Sequence, residues 1–561
     1  MREPGAQGTP REAPRWETAV AVALTAVVAA LHAVRLLHAG GLWRDEAGAA
    51  RLAAMPTLRE VFSLFPHEAF PLLFPGTVRA YTFLAGGGDR ALRAFGLVVG
   101  LAVVGILWLN ARAARTVPLL SLALLGLDVP FLIYGDSVRG YGLGSALILL
   151  TFGLLARALG EPGRDLGTPA VLAAFTAVAS VQVVLSNSAL LGALCAAAIA
   201  VAARRRRWRL AAWVAGSGAV AALSLLPYAG PLAEARRQWS IIVTYPTRVS
   251  QVWHAFIATL GERPVQLLWL VLVLAALAVL ARELARRPAD PEPGRSDAAL
   301  FAALVIPCAL VANGVFLKTL SYRPRPWYFL PLIALLTGAL DLALAAMPRS
   351  RERRALLLRL AVVALLACGQ ALPLMKSLTL RQTNVDLVAR QVARAAAPQD
   401  LVVVSSWFEG VSFNRYYTGP ARWLTLPDLP DHRIHRYDLL KVRMASPHPI
   451  DDVLEAVAAT LRSGHRVWLV GGARWPKPGE AVAVLPPAPR SSEGWHDWPY
   501  TGSWLRQLGF FLETHAVHIA TVAVPAGDPV NDLEDLPLVV AEGWTGSEAR
   551  RPAAVRPPGA L

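Results

Sequence analysis

The chain has 561 residues, 55% of them hydrophobic and only 17% charged, and its mean hydropathy is +0.43. A soluble domain carries roughly 25% charged residues, so this chain has too little polar surface to cover a water-facing body and hydrocarbon must solvate much of it. A wholly soluble protein and a disordered one are both excluded.

The formal net charge is +16, yet lysine stands at only four positions (Lys318, Lys376, Lys441 and Lys477) and arginine supplies the rest of the 55 basic residues. An arginine-heavy composition makes any single arginine weak evidence for guanidinium chemistry. The basic residues fall in short clusters between apolar segments, the pattern of a membrane protein and not of a nucleic-acid footprint. Cys195, Cys308 and Cys368 lie in apolar stretches without zinc or redox spacing.

From the N-terminus, a polar tail (1–17) leads into an apolar span over 18–38. It is longer than a signal-peptide core and lacks a small-residue cleavage site, which predicts a retained membrane helix. Ten further spans are predicted over 92–111, 117–134, 138–158, 169–186, 188–203, 210–230, 265–282, 298–317, 327–346 and 356–375, each near the ~20 residues that a crossing helix needs. The third carries Asp128 and Pro130. Basic clusters occur at every second boundary: Arg112 with Arg115, Arg157 with Arg164, Arg204–Arg207 with Arg209, Arg282 with Arg286 and Arg287, and Arg349 with Arg351, Arg353 and Arg354. The positive-inside rule makes those loops cytoplasmic, so residues 1–17 lie inside and everything after 375 lies outside. The expected architecture is a polytopic α-helical membrane domain (18–375) with about eleven transmembrane helices and a multi-pass position in the cell membrane.

Two outer pieces carry the informative residues. In the loop 39–91, Ala47–Met55 and Leu58–Phe65 are amphipathic and are predicted to lie along the membrane surface. The tail, 376–561, alternates predicted helices (385–397, 450–463) with strands (Leu401–Val404, Val467–Val470, Val517–Val524), as in a small extracytoplasmic α/β domain. The stretch 474–500, rich in Pro, Gly and Trp, is predicted as loop.

Gly41-Leu42-Trp43-Arg44-Asp45-Glu46-Ala47 follows the first span directly. Asp45 can cap the next helix while Glu46 complements its dipole and Trp43 anchors at the interface. Alternatively, a carboxylate at this depth can take a proton from an attacking hydroxyl. A first membrane helix, an outer Trp-x-Asp-Glu-Ala element, an amphipathic loop and many further spans resemble the GT-C glycosyltransferases. The likeness is to the protein O-mannosyltransferase type (glycosyltransferase family 39) and its aminoarabinose-transferring relatives, and covers roughly residues 18–346.

That resemblance implies that Asp45 is the base, with Glu46 beside it. It also implies an inverting transfer from a polyprenyl-phosphate-linked sugar to a protein, glycan or lipid acceptor among the membrane lipids, with no nucleic-acid partner. Later in the same loop, His67 and Glu68 occupy the region where related enzymes carry a His-Pro-Pro-Leu-Tyr type sequence or an acidic residue. This second acidic site could bind a donor hydroxyl or a divalent metal, although one His beside one Glu has no metal-ligand geometry by itself. Arg139-Gly140-Tyr141 resembles the family's Arg-x-Tyr element, and a guanidinium there can pair with a lipid phosphate. A helical spacing of two would put Arg139 and Tyr141 on different faces. Arg323 and Arg325 lie on the side that the topology rule depletes of positive charge, and suggest a second phosphate contact.

In the tail, Trp407–Tyr417 fits either a sugar-contacting surface or ordinary aromatic packing, and His432, His435 and Asp438 read as a loop. A polytopic lipid or sugar-lipid transporter is the alternative function. It would place ionisable groups near mid-membrane, where the sequence offers only Asp128.

Overall fold

The computed structural model describes residues 15–113, 116–161, 166–243, 247–285, 293–345, 352–477, 480–489 and 496–545. Most of the expected inner tail lies outside the described residues, as do Arg115, Arg164, Arg286, Arg287, Arg349 and Arg351 of the basic clusters and 478–479 and 490–495 of the expected loop.

Helix α1 (Arg15–His38) is followed by three short helices, α2 (Arg44–Ala53), α3 (Leu58–Glu68) and α4 (Leu73–Ala85), and then by α5 (Asp89–Ala113), α6 (Leu119–Gly126) and α7 (Gly140–Gly160). The bundle continues through α8 (Thr168–Val181), α9 (Asn187–Arg204), α10 (Trp208–Leu223), α11 (Ala229–Val243), α12 (Val249–Thr259), α13 (Arg263–Ala285), α14 (Pro293–Leu320), α15 (Leu330–Leu344) and α16 (Glu352–Leu378). Among the described residues nine helices are long and apolar enough to cross a membrane.

Two of the eleven expected spans depart from single long helices. Thr168–Val181 is shorter than the rest. The span over 117–134 is broken: α6 ends at Gly126, and the Asp128 carboxylate then caps a separate π-helical turn, accepting from Phe131 N at 2.8 Å. The sequence signs of that break were Asp128 and Pro130, which cannot both sit inside one continuous helix without disturbing its hydrogen-bond ladder.

The bundle has two distinct ends. At one, Arg205 pairs with Asp297 at 2.7 Å and Arg207 donates to the carbonyls of Leu159 and Ala158, gathering the C-termini of α7 and α9 beside the start of α14. At the other, the C-terminus of α1 meets the end of α16, where Arg35 donates to Leu380 O at 2.6 Å. A helix of 21 residues such as α7 separates these ends by about 30 Å.

The tail is built on a five-stranded sheet of order β2-β1-β3-β5-β4, with β1 (Leu401–Val404), β2 (Arg422–Thr425), β3 (Val467–Val470), β4 (Ala516–Val522) and β5 (Leu538–Trp544). β1 runs parallel to β2 and β3, while β5 is antiparallel to β3 and β4. Its central strands are unbroken apolar runs because both faces are covered. Leu401 and Val403 belong to one core, with Leu508 and Leu512 of α21 (Asp497–His515). Val402 and Val404 belong to another, with Val385, Val388, Ala389 and Val392 of α17 (Val385–Ala395). The 3-4-7 spacing of those α17 residues is the helical signature that made this element legible.

Three sequence expectations need correcting here. Part of 474–500 is helical, since α21 starts at Asp497. The strands β2 and β5 were not anticipated: β2 is only four residues long, and β5 follows a loop with no apolar alternation to announce it. The remaining tail helices are α18 (Gly410–Tyr416), α19 (Tyr437–Met444) and α20 (Asp451–Arg462).

Candidate active site

Helix α2 begins at Arg44 with Trp43 as its N-cap, so Asp45 and Glu46 fall in the first turn, where their charges complement the exposed N–H groups. Neither acid is the cap that the sequence suggested for Asp45. Glu46 takes that function in part, its Oε2 accepting from Trp43 N at 3.4 Å.

Successive helical residues point about 100° apart, and the two acids accordingly meet different surroundings. Glu46 is fully buried. Its Oε1 lies 2.5 Å from Arg93 Nη1 and accepts from Val138 N at 3.0 Å. Arg93 also donates to Gly41 O at 2.6 Å and to Gly40 O at 3.3 Å, fixing the turn into α2. Glu46, expected beside Asp45 at the reacting centre, thus has both carboxylate oxygens engaged in holding the helix.

Asp45 keeps 22% of its side chain exposed, and basic side chains surround it. Arg139 Nη2 lies 3.8 Å from its Oδ2 and Arg139 Nη1 donates to its backbone carbonyl at 2.9 Å. His435 Nε2 lies 4.0 Å from its Oδ1. Arg325 acts on it electrostatically from the loop before α15. Burial alone would raise the Asp45 carboxyl, but Arg139 foremost, then His435, Arg44 and Arg325, outweigh it and hold the group below the usual aspartate range. Asp45 is an ionised acceptor at neutral pH.

Glu68, at the end of α3, completes the arrangement. It is buried, with Oε2 2.8 Å from Arg139 Nη1 and Oε1 3.3 Å from His435 Nδ1. Gly48 on α2 makes room for it, since a Cβ there would collide with the carboxylate. Burial works against the Arg139 charge, but Asp45 and Glu68 overcome it and raise its pKa.

The expected separation of Arg139 and Tyr141 does not occur. Arg139 is not helical (φ −134°, ψ 156°) but the extended N-cap of α7, so helix-face geometry does not govern it. Its guanidinium lies 4.6 Å over the Phe70 ring, and Tyr141 packs edge-on to that ring at 6.0 Å. Arg325 lies 6.0 Å from the Trp327 ring centroid and has no carboxylate partner among the described residues, whereas Arg323 is exposed and does not join the group around Asp45. Trp43, expected as an interfacial anchor, is buried and set against Trp327 at 5.8 Å and Tyr134 at 6.5 Å.

The suggestion of a metal at His67 and Glu68 does not fit. The two residues enter different pairs, His67 Nε2 facing Asp438 Oδ1 at 3.7 Å while Glu68 is held by Arg139 and His435. A cation on Glu68 would meet the Arg139 guanidinium on the same carboxylate. Among the described residues no three His, Cys, Asp or Glu side chains group to hold a metal ion. Burial lowers the His67 pKa, with Asp438 opposing it.

His435 is the residue that sequence reasoning missed. It arrives on a strap, 431–438, that follows β2, and Ile434 buries itself with Leu52, Met55, Val61 and Leu64 of the α2–α3 segment. Arg436 pairs with Asp431 and Asp438 at 2.7 Å each and stiffens the strap. Its only sequence signal was the cluster of His432, His435 and Asp438.

The segment 407–417 does more than pack in the core of the tail. Trp407 belongs to the tail core, but Tyr416 Oη receives Leu42 N at 2.6 Å and Arg415 pairs with Asp89 at 2.8 Å. Arg44 N reaches Glu534 at 3.2 Å and Arg44 Nη1 pairs with Glu409 at 3.2 Å. The tail thus grips the start of α2 just ahead of Asp45.

A many-spanning helical bundle, short surface helices after the first span and an α/β tail over one end define a membrane protein of the GT-C architecture. A solved structure of this fold is ArnT from Cupriavidus metallidurans bound to undecaprenyl phosphate, which superposes with a TM-score of 0.51 at 15% identity over 82% of this chain and 94% of that one. The apo form of the same protein gives 0.49 at 15% identity, over 81% and 93%. No protein-family model matches the sequence, and no curated protein matches it either.

Proposed function

We propose that this chain is an integral-membrane glycosyltransferase that moves a sugar from a polyprenyl-phosphate donor to a protein, glycan or lipid acceptor on the outer face of the membrane, with inversion at the anomeric carbon. The observation that carries this reading is Asp45: an ionised, partly accessible carboxylate flanked by Arg139 and His435 at one end of the bundle. The undecaprenyl phosphate held by the ArnT structure supports the donor class.

In this reading Asp45 takes the acceptor proton as the acceptor oxygen attacks the anomeric carbon, and the bond from that carbon to the phosphate oxygen breaks. Negative charge then grows on the departing phosphate. Arg325, which forms no close ion pair with a described carboxylate and acts on Asp45 only at longer range, meets that charge, and Arg139 shares it. A phosphate that draws on Arg139 also loosens its hold on Asp45, which raises the basicity of the carboxylate. Donor binding therefore prepares the base.

The test is incubation of the purified protein with a panel of polyprenyl-phosphate sugars. Loss of sugar with release of free polyprenyl phosphate is expected for at least one donor. Movement of intact donor across a vesicle membrane without cleavage would replace the transferase reading by transport.

A further inference from the structure

Resting on the transferase reading, we propose that His435 is a relay and positioning residue behind Asp45, receiving at Nε2 the proton that Asp45 takes from the acceptor. The donor and acceptor chemistry of Asp45, His435 and Glu68 sets the direction of transfer. A carboxylate only accepts, so the 3.3 Å contact between Glu68 Oε1 and His435 Nδ1 assigns a hydrogen to Nδ1. In a neutral imidazole that leaves the lone pair on Nε2, and Nε2 is the nitrogen that faces Asp45 Oδ1 at 4.0 Å.

The facing pair of lone pairs is poorly matched while Asp45 is ionised, and becomes a hydrogen bond once Asp45 carries a proton. A separation of 4.0 Å closes by a small shift or through one water, and catalytic contacts are commonly long before substrate binds. The order of groups is carboxylate, imidazole, carboxylate. An imidazolium formed in the middle is flanked by Glu68 and Asp45, so its charge is compensated on both sides. Every atom balances: the acceptor O–H bond breaks, its oxygen bonds to the anomeric carbon, the phosphate leaves with the electron pair, and the proton passes from Asp45 to His435 Nε2 and then to water as product departs.

The imidazole is placed by its neighbours and does not have to hold them. Trp407 packs edge-on to it at 6.1 Å and Tyr437 stacks on it at 5.9 Å. Ile434 and the ion pairs of Arg436 fix the backbone on either side. Asp45 itself, kept in the ionised form by Arg139, is a poor store for a proton and needs somewhere to pass it before the next turnover.

The experiment uses the full chain and a panel of undecaprenyl-phosphate sugars, reading release of undecaprenyl phosphate for wild type, His435→Ala and His435→Asn. His435→Ala is expected to lower kcat about 10²-fold with little change in donor KM, and imidazole added to the buffer should restore part of the rate. His435→Asn keeps a donor toward Glu68 but offers no basic nitrogen to Asp45, so it should fold, stay slow and resist rescue; it also stands in if the alanine variant fails to fold. Full activity in the asparagine variant would overturn the relay, leaving His435 as a brace for Glu68. Absence of imidazole rescue in a folded alanine variant would overturn it too, as would wild-type activity that a chelator abolishes and zinc restores. A wild-type chain that cleaves none of the donors removes the transferase reading, and this inference with it; an active wild type with indifferent His435 variants removes only the inference.

Discussion

The candidate site is assembled from two regions that differ in how their side chains are held. The α2–α3 segment lies next to the first membrane helix, and its acids are fixed locally: Glu46 by Arg93 and the helix N-terminus, Glu68 by Arg139 and the space over Gly48. The strap 431–438 comes from more than 360 residues further along the chain, its His435 and Glu68 lying 367 positions apart. It is fixed remotely, through one buried isoleucine and short-range ion pairs. Residues in the first region can carry a local motif, because spacing along one short helix sets their geometry. Residues in the second cannot, because contacts with residues far away in the sequence place them.

The largest expected effects come from the two adjacent acids, which share one helical turn but not one environment. Asp45→Asn preserves size and the first-turn position while removing proton acceptance, so transfer should fall by about 10² or more with folding and donor binding near normal. Glu46→Gln should do the reverse. It leaves Arg93 charged and buried without its counter-ion, and breaking such a pair costs about 3–5 kcal/mol, visible as lost yield or a lowered Tm, with whatever protein still folds turning over normally. Equal behaviour of the two variants in both assays would show that the acids act as a unit and that the division drawn from their burial is wrong.

This contrast also marks how far the sequence could be read. Apolar length alone revealed the helical bundle, and α17, β1 and β3 were legible because their apolar periods match their burial. The acids of Trp43–Ala47 stood out by type and place, but not which one faces the cleft, since that depends on Arg93 approaching from α5. Arg139 was recognised while its relation to Tyr141 was misjudged, because one extended residue at a helix start cancels the helical-face argument. His435 was visible only as one histidine in a polar loop. Nothing local distinguishes a strap that reaches another domain from one that faces solvent.

A smaller effect separates the two arginines near Asp45. Arg325 has no described carboxylate partner, so Arg325→Ala should act mainly on donor capture, raising donor KM about tenfold, the scale of one charged hydrogen bond at a partly open site. Arg139 holds Asp45 and Glu68 in place. Arg139→Ala should therefore depress kcat more than it raises KM, and Arg139→Lys should restore charge without the planar fork that spans both acids. Initial-rate measurements over a range of donor concentrations would resolve this, and a pure KM effect at Arg139 would assign it to the phosphate alone.

The smallest effect tests how the tail holds α2. Glu409 and Glu534 are both buried beside Arg44, with Ser412 Oγ also donating to Glu534 at 3.0 Å. Two carboxylates share one guanidinium, and burial first, then Glu409, pushes Glu534 well above the ordinary glutamate range. The folded state therefore keeps a proton that the unfolded chain releases near the usual glutamate pKa. With more protons bound folded than unfolded, this group's contribution is fully present below that ordinary value and is lost as pH rises above it. Glu534→Gln supplies a neutral amide that still accepts from Arg44 N and can donate to Glu409, and it has no proton to lose. Between pH 5 and 8 the variant's unfolding free energy should fall less steeply than wild type, by up to about 1.4 kcal/mol per pH unit, read as a smaller decline in Tm across that range. Parallel curves for the two proteins would mean that Arg44 keeps both acids ionised, and that the tail grips α2 through a net negative cluster instead of a shared proton.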